Sequence, residues 1–121
     1  SDGESADTIG RSSKDQLTAE GRTLAITTAD ITATSSIAQI GVNTTSGSIT
    51  ITLPGSPSAG DVVTLVDSHH QWGTNSCIVA RNGNAIDGNA SNLTLNQAKQ
   101  QISLMYNGSG WRTFNKLAVY G

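Results

Sequence analysis

Asp67, Ser68 and His69 put a carboxylate, a hydroxyl and an imidazole on three successive residues, and His70 adds a second imidazole. These are the residue types of a hydrolase relay, in which a carboxylate orients the histidine that activates a serine. The relay needs the three side chains to converge, whereas successive side chains on an extended backbone point to opposite faces. This tripeptide alone cannot form one. The same divergence separates His69 from His70 as metal ligands, and no Asp, Glu or Cys cluster stands at a spacing that completes a site. What the pair leaves open is a site on a symmetry axis, with one histidine from each of several chains. The reading for the corner is structural or solvent-facing, with no catalytic residue and no metal.

Other candidate chemistry dissolves in the same way. Residues 84–92 (NAIDGNASN) are rich in oxygen ligands, but they lack the spaced acidic ligands and closing glutamate of a calcium loop, so they read as turn chemistry. Asn43, Asn89, Asn92 and Asn107 each open an Asn-x-Ser/Thr triplet, a frequent coincidence in a chain this rich in Asn, Ser and Thr. Gly108, Ser109 and Gly110 join two strands, and no helix follows to offer a phosphate its N-terminus. Cys77 is the single cysteine, which excludes an intrachain disulfide and a multi-cysteine metal site. Trp72 and Trp111 lie near Asn and Gln, where an exposed indole could stack on a sugar; with so few aromatics in the chain, core or interface packing is the reading adopted. No cofactor is implied.

The elements that must position these residues are thin. Hydrophobic residues make up 36% of the chain and charged residues 13%, against roughly 45–50% and about 25% in ordinary domains. Ser, Thr, Asn and Gly fill the difference, which favours short strands and tight turns over long amphipathic helices. The 121 residues suit one domain. A core this sparse points to help from other copies of the chain. A net charge of −2 argues against a nucleic-acid partner. No run reaches the roughly 18 apolar residues of a membrane span, and the first residues lack a signal peptide's pattern, so a soluble chain with no membrane partner is expected.

Residues 1–24 read as an N-terminal arm and residues 25–121 as a β domain. Ser13 and Gln16 stand in capping-box relation with Gly21 as a stop, which allows a short helix. From Arg22 the texture turns to β, with Leu24, Ile26, Ile31, Ile37, Ile40 and Val42 set among threonines and serines. Residues 48–53 alternate cleanly, with Ile49, Ile51 and Leu53 on one face. Pro54 ends that strand. Residues 61–67 form the next one, apolar on both faces: Val63 and Leu65 oppose Val62 and Val66, so one face serves the core and the other a second layer or a partner. Residues 76–81 read as a strand turning at Asn82-Gly83 into a short return over 85–88. Leu93 and Leu95 share a face, Ile102, Leu104 and Tyr106 point inward, residues 107–110 reverse the chain, and Trp111 opens a paired strand, with Leu117, Val119 and Tyr120 closing the C-terminus. The spacing predicts a small all-β, antiparallel sandwich or barrel-like domain. Ile49, Ile51, Val63, Leu65, Trp72, Ile102, Leu104 and Trp111 are the residues assigned to core or intersubunit packing.

Four stretches, ITITLPGSPSAGDVVTLVD (49–67), WGTN (72–75), IVARNGNAIDG (78–88) and LMYNGSGWRTF (104–114), fall in order within residues 49–114, a span of a little over half the chain. Together they resemble a β domain that recurs in bacteriophage virion proteins, especially tail fibres and capsid-surface proteins. The resemblance implies a trimeric β structure without enzymatic activity, located on the virion. Taken as complete, a chain with room for a short arm and one domain fits a capsid decoration (cement) protein on the capsid surface. Its partners would be its own copies and the major capsid protein, with contacts carried by the arm at Asp7, Ile9, Arg11 and Leu17. The alternative is a tail fibre or fibre-tip module that binds a host glycan.

Overall fold

The computed structural model describes residues 25–34 and 39–115. The arm residues Asp7, Ile9, Arg11 and Leu17, the Ser13 helix, Ile37 and the closing Leu117, Val119 and Tyr120 lie outside the described residues. Among the described residues nine strands follow in order: β1 (Ala25–Thr27), β2 (Ile31–Thr32), β3 (Gln39–Val42), β4 (Ile49–Thr52), β5 (Val62–Val66), β6 (Cys77–Ala80), β7 (Leu93–Leu95), β8 (Gln101–Tyr106) and β9 (Trp111–Asn115). They build a five-stranded sheet in the order β9-β8-β5-β3-β1 and a four-stranded sheet in the order β2-β4-β6-β7. One apolar core drawing on both sheets lies between them, a sandwich-like arrangement.

The sheets are mixed, and the expectation of an antiparallel domain is corrected. From β1 to β6 the chain alternates strictly between the two sheets, so each strand returns to its own sheet after a crossover through the other. Strands that return this way run parallel, and β1 with β3, β3 with β5, β2 with β4 and β4 with β6 all do. The result is a coil of three rungs. The last three strands close it by antiparallel pairing: β7 on β6, β8 on β5, and β9 on β8.

Coiling explains why the short apolar bursts suffice. Ile31, Ile51, Val79 and Leu93 align across the four-stranded sheet, while Ile40, Leu65 and Ile102 align across the five-stranded one. Each inward residue therefore stacks on its counterpart in the next strand, and the alternation visible in 49–53 is read out as buried, half-buried, buried. Leu65 lies in the central strand with no exposed surface. Replacing it by alanine is expected to cost about 2 to 5 kcal/mol, seen as a lowered urea midpoint; a midpoint equal to that of the parent chain would show that the site collapses without penalty.

The turn at Asn82-Gly83 has positive φ at both residues, 50° and 92°, as a two-residue hairpin turn demands. It does not return the chain along β6, however. Residues 85–87 run instead beside β9 in the other sheet: Trp111 N–H donates to the Ala85 carbonyl at 2.9 Å, and Asp87 N–H donates to the Trp111 carbonyl at 2.8 Å. The Asp87 carboxylate then accepts from Thr113 N–H at 3.0 Å and from the Thr113 hydroxyl. The open edge of β9 is thus occupied by its own chain, which blocks pairing with a foreign strand there.

Candidate functional site

The chemistry-bearing corner between β5 and β6 is an internal brace. Asp67 is buried at the end of β5. Its Oδ1 accepts from Gln71 N–H at 2.9 Å, and its Oδ2 accepts from Trp72 N–H at 3.2 Å and Lys99 N–H at 3.0 Å. One side chain therefore holds both the corner and the loop that leads into β8. His70 and Lys99 take positive φ, 55° and 68°, on either side of it, a strain that the surrounding bonds must offset. Trp72 is fully buried, and its Nε1–H donates to the Val42 carbonyl at 3.1 Å, tying the third rung to the second. Asn75 extends the same tie by donating to the Thr44 carbonyl at 2.9 Å.

Ser68 Oγ lies 2.9 Å from His69 Nδ1, and both residues are solvent-facing in part or whole. Asp67, committed to three backbone N–H groups, points into the fold, so its hydrogen bonds go to the loop. Among the described residues, no group of three or more His, Cys, Asp or Glu side chains could hold a metal ion. The corner's geometry serves loop positioning.

Cys77 faces the core between Ile49 and Leu95. Burial pushes its thiol from 9.0 up to about 12, and the charge of Asp67 adds to the effect. The folded chain holds this proton while the unfolded chain releases it, so the contribution to stability is complete below about pH 9 and declines as pH rises toward about 12. Comparing urea midpoints of the parent and Cys77→Ala between those limits should show a shallower decline in the variant. Equal slopes would mean that the thiolate is no worse solvated in the fold. The thiol itself is expected to resist a thiol reagent until the chain is denatured.

The eight packing residues named from sequence, Ile49, Ile51, Val63, Leu65, Trp72, Ile102, Leu104 and Trp111, all lie buried in the core. Both tryptophans are without exposed surface, so neither offers a face on which a sugar could stack. The remaining surface of interest lies on the other side of β5, on the outer face of the five-stranded sheet. Register pairs Val62 with Met105 and Met105 with Arg112; Thr64 with Gln39 and Ser103, and Ser103 with Phe114; Val66 with Gly41 and Gln101, and Gly41 with Ile26. All three exposed large hydrophobic side chains among the described residues fall on this one face: Ile26 at 60%, Phe114 at 55% and Val62 at 42%. Val66 and Met105 lie half-buried between them, and the Thr64 and Ser103 hydroxyls share a 2.9 Å hydrogen bond.

Gly41 keeps this face continuous. A Cβ there would stand 3.2 Å from Ile26 Cγ1 and 3.3 Å from Ser68 Cβ, closer than ordinary packing. The missing side chain lets Ile26 lie over β3. Of these features, the sequence showed β5 to be apolar on both sides; Ile26 and Phe114 were legible only by parity, Phe114 being odd to Trp111 on β9. The role of Asp67 was missed, and its signal was an acceptor at a strand end before a tight polar corner. No protein-family model and no curated relative matches the chain.

Proposed function

We propose that the protein is a non-enzymatic structural component of a bacteriophage virion, a homotrimeric capsid decoration protein that stabilises the head by bridging major capsid subunits. The observation that carries the reading is the outer face of the five-stranded sheet, which bears the three exposed large hydrophobic side chains of the described residues, Ile26, Val62 and Phe114. On this reading that face is a contact surface. The residue patterns at 49–67, 72–75, 78–88 and 104–114 supply the virion context by resemblance. The corner at Asp67 supports a structural role, since its carboxylate braces two loops.

On this reading the arm, with Asp7, Ile9, Arg11 and Leu17, reaches the shell or an adjacent copy, and the β domain forms the body. The test is cosedimentation with phage heads stripped of their surface proteins. The full chain is expected to pellet with the heads and stiffen them against heat, and a chain lacking residues 1–13 to stay in the supernatant. A full chain that ignores heads, or one that turns over a polysaccharide, would overturn the proposal.

A further inference from the structure

We infer that Asn107 is a site of spontaneous covalent modification, where the folded chain converts its own asparagine to aspartate and isoaspartate through a succinimide. The inference is independent of the virion reading, since it concerns one loop of a single chain.

The reaction needs an amide carbonyl and a following backbone nitrogen that can reach it, and glycine, having no Cβ, leaves that nitrogen least obstructed. Three Asn-Gly or Asp-Gly pairs lie among the described residues: Asn82-Gly83, Asp87-Gly88 and Asn107-Gly108. All three glycines have positive φ, so backbone class does not separate them. Their side-chain hydrogen bonds do.

In the first step the Gly108 nitrogen bonds to Asn107 Cγ and gives up its proton, while the bond from Cγ to Nδ2 breaks and that nitrogen leaves as ammonia. Water then opens the ring. Attack at Cγ gives aspartate, and attack at the main-chain carbonyl gives isoaspartate, in which the backbone runs through Cβ. Negative charge gathers on Oδ1 as the ring closes. At Asn107 that oxygen already accepts from Ser109 N–H at 2.9 Å and from Gly110 N–H at 3.1 Å, two donors aimed where the charge develops. Among the described residues no hydrogen bond engages the Gly108 N–H or Asn107 Nδ2. Asn107, Gly108 and Ser109 are all exposed, so water reaches the ring.

Asn82 has the opposite arrangement. Its Nδ2, the atom that must leave, donates to the Leu53 carbonyl at 3.0 Å and lies against Gly55, where an added Cβ would stand 3.0 Å from it. Ring closure there has to break that bond. Asp87 offers a carboxylate, a poorer electrophile than an amide, and both its oxygens accept from Thr113. The fold therefore directs the reaction to the loop between β8 and β9. Conversion adds a negative charge to a chain of net charge −2, and the isoaspartate lengthens the loop by one backbone atom.

Ageing the folded full chain in mildly alkaline buffer, with peptide mass mapping over time, tests the assignment. The peptide holding Asn107 is expected to lose its amide about tenfold faster than the peptide holding Asn82, equivalent to about 1.4 kcal/mol in barrier. A more acidic band should grow in native isoelectric focusing at the same rate. In the chain unfolded by urea the two rates are expected to draw together, because the bonds that set them apart are gone. An unchanged ratio in urea would overturn the inference, since neighbouring sequence and not the fold would then set the order. Asn82 converting first in the folded chain, or neither residue converting, would overturn it as well.

Discussion

A Trp72→Ala chain is expected to lose about 4 to 8 kcal/mol of stability, the sum of a large-to-small core substitution and an orphaned buried acceptor. Trp72 has no exposed surface, and its Nε1–H satisfies the Val42 carbonyl between adjacent rungs. Against the about 5 to 15 kcal/mol that holds an ordinary domain together, such a loss leaves the chain largely unfolded at room temperature or melting at least about 15 °C lower. The phenylalanine variants separate packing from the hydrogen bond. Trp111 is as deeply buried and meets Tyr106 edge-on at 5.5 Å, but its Nε1–H has no partner among the described residues. Trp72→Phe should therefore cost more than Trp111→Phe, by about 1 to 3 kcal/mol in urea denaturation. Equal costs would mean that the bond to Val42 contributes nothing net.

Asp67→Ala is the second large effect, expected at about 4 kcal/mol, because hydrogen bonds to a carboxylate are worth about 1.5 to 3 kcal/mol each and part of the freed backbone reaches water. The amides of Gln71, Trp72 and Lys99 lose their common acceptor at once. Asp67→Asn keeps one carbonyl oxygen and turns an N–H toward donors, so it should fall between the two. Amide hydrogen exchange gives the sharper readout: protection at Gln71, Trp72 and Lys99 is expected to collapse in Asp67→Ala while that of β4 and β8 is reduced only by the global loss of stability. Unchanged protection at those three amides would show that the brace is replaceable by solvent. The double variant with Trp72→Ala should be less than additive, since both residues hold the same corner.

Ile49 and Ile51 on one strand and Ile102 and Leu104 on another were legible from sequence because a period of two has a single meaning on a half-buried strand. Sheet direction was not. Residues 43–48 and 54–60 carry turn composition, which shows that the chain bends but not whether it doubles back in one sheet or crosses to the other. Here both segments cross, from β3 to β4 and from β4 to β5, and crossing makes the neighbours parallel. Residues 107–110 have the same composition and do form a hairpin, with Tyr106 facing Trp111. Asn82-Gly83 has the paired positive φ of a hairpin turn and joins no hairpin, because the hydrogen bonds of residues 85–87 go to β9 backbone in the other sheet.

The candidate site divides along the same line. That Asp67, Ser68 and His69 cannot form a relay followed from local geometry alone, whereas the three N–H groups that claim Asp67 come partly from a residue 32 positions away. Ile26 and Phe114 share a face only because four strand registers place β1 and β9 on opposite edges of one sheet. Nothing within either strand announces it. The apolar character of both sides of β5 was the local trace of that face, and Val62 is the part of it that sequence could reach.

The central claim, that copies of this chain assemble as a trimer, is tested most directly by sedimentation equilibrium of the full chain at micromolar concentration. A single species of three times the 12.5 kDa of one chain is expected, unchanged on dilution through that range. A stable species of 12.5 kDa would contradict it.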